Sequence, residues 1–168
     1  IWLGLLAFSS PAATFDLNEV QKLVANDPTE WASFGSSIAL SGDTAVIGAA
    51  GDNENRGAAY VFAWNGSTWG QQAKLTVADS DPWDRFGGSV SIDGGTIVIG
   101  APGESDNAGA AYVFTWEGSA WTQQARLDVP NPYTYRGFGN AVIVTGDTAM
   151  VTVFEAYTRT LLPMIWRR

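Results

Sequence analysis

The chain has 168 residues, 46% of them hydrophobic and 12% aromatic, and carries a net charge of −8. That is enough apolar material for a sizeable core, and the negative charge excludes nucleic acid and anionic membrane surfaces as partners, because phosphate binding needs clustered Lys and Arg. With no Cys and no His, the sequence also excludes disulfides, Ser-His-Asp and Cys-His catalysis, and zinc held by those side chains.

Residues 1–13 are an apolar run followed by small residues, Ser10-Pro11-Ala12. The run is too short to span a bilayer and reads as the apolar core and cleavage end of a secretory signal peptide, the alternative being a buried apolar strand. Secretion or cell-surface exposure is the expected address, with no membrane span. Residues 14–33 read as the last strand of a partial repeat, since Lys22-Leu23, Asp27 and Trp31 precede Lys74-Leu75, Asp79 and Trp83 by a constant 52 residues (74 − 22).

The first full unit covers 34–85. Strands are expected at Ser36 to Leu40, Thr44 to Ala49, Ala58 to Trp64 and Trp69 to Val77, separated by the turn Ser41-Gly42-Asp43, a polar loop at 51–56 and a two-residue hairpin turn at Asn65-Gly66. The second and third strands are apolar on both faces, as expected between neighbouring sheets. The fourth alternates, which predicts Trp69, Gln71, Ala73, Leu75 and Val77 on one face and Gly70, Gln72, Lys74 and Thr76 on a wet one.

A second unit covers 86–137. Gly57-Ala58-Ala59-Tyr60-Val61-Phe62 returns as Gly109-Ala110-Ala111-Tyr112-Val113-Phe114, again 52 residues on (109 − 57), and Phe34-Gly35, Phe86-Gly87 and Phe138-Gly139 keep the same interval. Residues 138–151 begin a third unit, and 152–168 form a divergent tail in which the pattern is lost; a truncated or out-of-frame end and a terminal cap both fit it. A period of this size, built from short strands and glycine turns, predicts an all-β chain: a β-propeller fragment of four-stranded antiparallel blades, two complete and the others partial. Rings close with about four to eight blades. The expected partners therefore include the remaining blades of a longer chain, or further copies of this one.

The stretches FGSSIALSGDTAVIGAAGDNENRGAAYVF (34–62) and FGGSVSIDGGTIVIGAPGESDNAGAAYVF (86–114) resemble the FG-GAP repeat, whose Gly-Ala-Pro stands here as Gly100-Ala101-Pro102 and, less closely, as Gly48-Ala49-Ala50. The resemblance implies a propeller like the N-terminal domain of integrin α-subunits and a role in extracellular recognition. Integrin-type repeats often carry an Asp-rich calcium loop before the Gly-Ala-Pro strand. Here that place holds Ser41-Gly42-Asp43, Asp93-Gly94-Gly95 and Thr145-Gly146-Asp147, turns too short to offer the roughly six to eight oxygens calcium takes. No cofactor is expected, and calcium has no complete motif.

Low-ranking metal candidates are Asp52 and Glu54, with Glu104 and Asp106 one repeat later, although a solvated turn explains the same residues. The loop Asp79, Asp81, Trp83 and Asp84 becomes Asn131, Tyr133, Tyr135 and Arg136 in the next copy, the pattern of a variable recognition loop. Trp64, Trp69, Trp116 and Trp121 suit either sugar stacking or cross-strand bracing, with bracing favoured. No catalytic residue is assigned. The expected function is a non-enzymatic extracellular binding or adhesion scaffold taking a protein or glycan ligand. The alternatives are a carbohydrate-active enzyme, which needs two carboxyls about 5 to 9 Å apart, and a purely structural repeat module.

Overall fold

The computed structural model describes residues 21–129, 131, 135–155 and 160–167. The signal-peptide reading at 1–13 and the loop residues Tyr133 and Thr134 therefore lie outside the described residues. The described residues form three antiparallel sheets in the manner of propeller blades. The first contains β1 (Phe34–Ser41), β2 (Thr44–Ala49), β3 (Ala58–Trp64) and β4 (Trp69–Leu75), and the second β5 (Ser89–Asp93), β6 (Thr96–Ala101), β7 (Ala110–Trp116) and β8 (Trp121–Asp128). Each is ordered as a simple meander. The third contains β9 (Tyr135–Arg136), β10 (Val142–Thr145), β11 (Thr148–Glu155) and β12 (Thr160–Arg167), with β11 between β10 and β12 and β9 paired to the far end of β11.

The doubly apolar strands are buried on both faces, as expected: β2 and β6 are closed from their second residue onward. One large cluster joins the first two sheets, with Val46, Val61 and Leu75 on one side and Val90, Ile92, Ile99, Tyr112 and Phe114 on the other. A second joins Val98 and Ala111 to Phe138, Val144, Ala149, Val151 and Val153. Ile38 and Leu40 are the register mates of buried Val90 and Ile92, yet they are 70% and 64% exposed, because no sheet stands on that side among the described residues. Of the segment 14–33, read as the last strand of a partial repeat, residues 14–20 lie outside the described residues, and the described part, 21–33, carries no strand. Without a sheet of its own there, it is tied to β4 by side chains: Trp69 N–H donates to Gln21 Oε1 at 2.8 Å and Asn26 N–H to Gln71 Oε1 at 2.8 Å.

The predicted faces of the outer strand are corrected by a β-bulge. Phe62 pairs with Gln71 but Val61 pairs with Ala73, so Gln72 is the extra residue. A bulge reverses the facing of the residues beyond it. Trp69 consequently packs with Tyr60 and Phe62, whereas Ala73 and Leu75 pack with Val61 on the opposite side. Lys74, placed on the wet face by simple alternation, lies over the Tyr60 ring instead. The second repeat has the same bulge between Val113 and Phe114. The hairpin also differs from expectation: it is the loop 65–68, in which Asn65 Oδ1 accepts the N–H groups of Ser67 and Thr68 at 3.0 and 2.9 Å. Only Gly66 there has a positive φ.

The divergent tail keeps the period in space. Ala149 pairs with Trp166 and Met150 with Ile165, the same partners one repeat on from Ile97 with Phe114 and Val98 with Val113. Trp166 takes the role of Phe114 toward the Phe-Gly ring: Phe138 meets it edge-on at 5.3 Å, as Phe86 meets Phe114 at 6.1 Å.

Neighbouring sheets are locked by the Phe-Gly pairs. Phe86 is fully buried, its ring edge-on to Tyr112 at 5.5 Å, while its backbone N–H donates to Arg56 O of the first sheet at 2.9 Å and bridges Gly57. Phe138 repeats this with Ala108 O and Gly109. A Cβ on Gly57 would lie 2.0 Å from Phe86 O, and Gly57 holds a φ of 88°. Gly57→Ala is therefore expected to cost about 2–5 kcal/mol from overlap plus left-handed strain, against about 1 kcal/mol for Gly66→Ala, which has open space around it. Urea denaturation of the two variants compares them directly.

Candidate functional site

The loop face is built where β2 runs into β3 and β4 into β5. In each copy the second-to-third connection is a tight turn, Asp52–Asn55 and Glu104–Asn107, whose central residues are left-handed. Asn and Asp tolerate that conformation, which explains the composition of these loops. The first acid of each turn points inward: Asp52 is 2% exposed and Glu104 8%. The second, Glu54 and Asp106, is exposed.

The inward acids are met by cations. Asp52 accepts from Thr29 Oγ1 at 2.6 Å and pairs with Lys74 Nζ at 2.8 Å, and Lys74 also reaches Asp27 at 2.7 Å. One repeat on, Glu104 accepts from the Tyr112 hydroxyl at 2.6 Å and pairs with Arg126 at 2.7 Å, while Arg126 also meets Asp128 at 2.9 Å. Both cations lie over a tyrosine ring, Lys74 at 5.2 Å from Tyr60 and Arg126 at 6.0 Å from Tyr112. The four metal candidates are thus split: Asp52 and Glu104 hold protein cations, and Glu54 and Asp106 stand apart at the turn tips. Among the described residues no group of three or more acidic side chains is gathered in a way that could hold a metal.

These contacts move the titrations in opposite directions. Burial works against the Lys74 ammonium, but its bonds to Asp27 and Asp52 outweigh that and raise its pKa. The bond to Lys74 holds the Asp27 carboxyl below its ordinary value. Burial raises Glu104 despite the opposing pull of Tyr112 and Arg126, and raises Tyr112 further with help from the Glu104 charge.

The predicted recognition loop lies on the same face. Asp84 is buried, its Oδ2 accepting the Asp81 N–H at 2.6 Å, and burial raises its pKa. Arg56 from the neighbouring turn bonds Ser80 O and lies 3.9 Å from Asp81. The loop is therefore fixed on both flanks, and Asp79, Asp81 and Trp83 are left outward. Trp83 is 62% exposed with a φ of 77°, a strained backbone for a bulky side chain. Its register mate Trp31 is 88% exposed with a φ of 63°. In the sequence Trp31 stands out only as a repeat marker; its recurrence at the same position as Trp83 is the available signal. The pairing of Asp52 with Lys74 is legible there too, as a coordinated exchange to Glu104 with Arg126.

The hairpin tryptophans brace the outer strands, with Trp64 and Trp69 at 5.7 Å and Trp116 and Trp121 at 5.5 Å. No helix among the described residues is long and apolar enough to cross a membrane.

Two measurements test the ion clusters. Lys74→Met leaves Asp52 buried without its cation and is expected to cost about 2–4 kcal/mol at neutral pH by urea unfolding. An acid whose folded pKa is raised contributes stability that is fully present below its unfolded value and lost as pH rises through the folded one. For Glu104 that decline begins above its ordinary 4.5, so Glu104→Gln is expected to flatten the fall of unfolding free energy with rising pH.

Comparison with known proteins agrees with the geometry. The family profile described as FG-GAP repeat matches residues 17–62 and 69–114, together more than half the chain and again 52 residues apart (69 − 17). Similar curated proteins include integrin alpha-X of Mus musculus, 38% identical over 56 residues, and of Homo sapiens, 40% identical over 53. Integrin alpha-M of Mus musculus is 38% identical over 53 residues. These matches cover 29% of this chain for the first and 27% for the other two, and only 5% of each relative's length. By its repeats, its blades and these relatives, the chain belongs to the FG-GAP repeat family and resembles the propeller-forming part of integrin α-subunits.

Proposed function

We propose that this chain is a non-enzymatic extracellular adhesion module that binds a protein or glycan ligand on the face carrying Trp31, Asp79, Asp81 and Trp83. The observation that supports this best is the pair of outward tryptophans one repeat apart, each on strained backbone. Large exposed apolar side chains are costly to maintain in water, and rigid aromatics are the commonest energetic anchors of binding surfaces. The buried ion clusters beneath them give the loops a stiff base, which lowers the ordering cost of binding. The likeness to integrin α-subunits supports the extracellular setting.

The test is an array of glycans and purified extracellular-matrix proteins probed with the 168-residue chain, run beside a glycoside hydrolysis assay. Saturable binding without turnover, weakened about tenfold or more by Trp83→Ala and by Trp31→Ala, is the expected result. Turnover would favour a carbohydrate-active enzyme, and silence in both assays a purely structural repeat.

A further inference from the structure

The hairpins that close the first two sheets, β3 to β4 and β7 to β8, share a backbone and differ in their first loop residue. Asn65 N–H donates to Thr68 O at 3.1 Å and Glu117 N–H to Ala120 O at 2.9 Å, and the next residue is a left-handed glycine in both, with φ of 97° at Gly66 and 85° at Gly118. Only the first copy places a side-chain amide ahead of that glycine. Residues 65–68 are all exposed, and the space around Gly66 is open. The Asn65 amide is nevertheless fixed. Its Oδ1 accepts from Ser67 N–H at 3.0 Å, Ser67 Oγ at 3.0 Å and Thr68 N–H at 2.9 Å, and its Nδ2 donates to Thr68 Oγ1 at 3.2 Å. Three donors on one carbonyl oxygen polarise the bond and leave Cγ electron-poor. The N–H groups of Asn65, Ser67 and Thr68 are used in closing the turn, whereas that of Gly66 has no partner among the described residues. A solvent-facing main-chain nitrogen thus follows an activated amide carbon, with no Cβ at Gly66 to crowd their approach.

We infer that Asn65 is a self-modification site, converted through a succinimide to aspartate and isoaspartate. Gly66 N bonds to Asn65 Cγ as its proton passes to water, the Cγ–Nδ2 bond breaks, and the amide nitrogen leaves as ammonia. Water then opens the ring at either carbonyl, so one water is consumed for each ammonia released and nothing is oxidised or reduced. Opening to aspartate puts a carboxylate where Glu117 already stands, which the same turn accommodates. Opening to isoaspartate routes the main chain through Cβ and Cγ. That redirects the oxygen on which the turn closes and adds a carbon between Trp64 and Trp69, register partners with rings 5.7 Å apart. Trp69 also anchors the segment 21–33, since Gln21 bonds both its N–H and its carbonyl. An isoaspartyl hairpin therefore loosens the segment that carries Trp31.

The experiment incubates the intact folded chain in mildly alkaline buffer and follows its tryptic peptides by mass spectrometry. Asn65 is the only asparagine in peptide 57–74, and fragment spectra separate it from Gln71 and Gln72. Asn55 and Asn107, left-handed turn residues followed by Arg56 and Ala108, are the references. Conversion at Asn65 is expected to run about tenfold or more faster than at either, and Gly66→Ala to slow it about tenfold or more. Both products are expected, the isoaspartate being detected by an isoaspartyl methyltransferase. In that form, separated by ion exchange, amide exchange is expected to be faster at the hairpin and over 21–33 than in the aspartyl form. No conversion at Asn65, conversion no faster than at the references, an unchanged rate in Gly66→Ala, or an isoaspartyl form with unaltered exchange would each overturn the proposal.

Discussion

Everything in this molecule depends on how closely the backbone of one sheet can approach the next at its Phe-Gly pair. The phenyl ring belongs to its own blade, where Phe86 meets Tyr112 and Phe114, but the peptide that carries it is hydrogen-bonded to the blade before, through Arg56 O. Three glycines make this approach feasible. Gly57 and Gly48 each come so near the Phe-Gly carbonyls that a Cβ would lie 2.0 Å from an oxygen, and a Cβ on Gly87 would lie 2.1 Å from Ala58 O. The hydroxyls of Ser37 and Ser89 then seal the joint by donating to Gly87 O and Gly139 O at 2.8 and 2.7 Å. The sheets consequently stack as one apolar column rather than as separate units.

The third sheet shows which parts of that arrangement are separable. Its strands β11 and β12 keep the pairing of β6 and β7 although the hexapeptide is gone, because apolar residues at alternate positions suffice to face the second sheet. Its outward side is different. Thr152 and Leu161 stand where Gly100 and Gly109 stand one repeat earlier, positions at which a Cβ would lie 1.9 and 2.2 Å from the carbonyl oxygens of the following Phe-Gly. Inward packing persists there, while the two glycines of the earlier repeats are absent from these positions.

The loop face depends on the column in a second way. Burying Asp52 and Glu104 is favourable only because Lys74 and Arg126 arrive from the fourth strand of the same sheet, held over Tyr60 and Tyr112. The bulge at Gln72 is what turns Lys74 toward that ring. A backbone irregularity in the outer strand thus positions the charge that supports the turn, and the turn in its place flanks the loop Asp79 to Asp84 through Arg56.

The sequence by itself determined the period, the identity of the doubly buried strands and the positions of most turns, since those follow from local alternation and from glycine where φ must be positive. Strands β2 and β3 match their expected bounds residue for residue. It also pointed to the loop at Asp79 to Asp84 through its variation between copies. Only the tertiary structure decided which face the end of the outer strand presents, because a bulge is a relation between two strands and leaves no alternation signal of its own. It also showed that one acid of each turn points inward to its cation and that Trp31 and Trp83 are both exposed at equivalent positions. Those features arise from contacts between strands and loops that are not adjacent in sequence, whereas local alternation encodes the faces of a single strand.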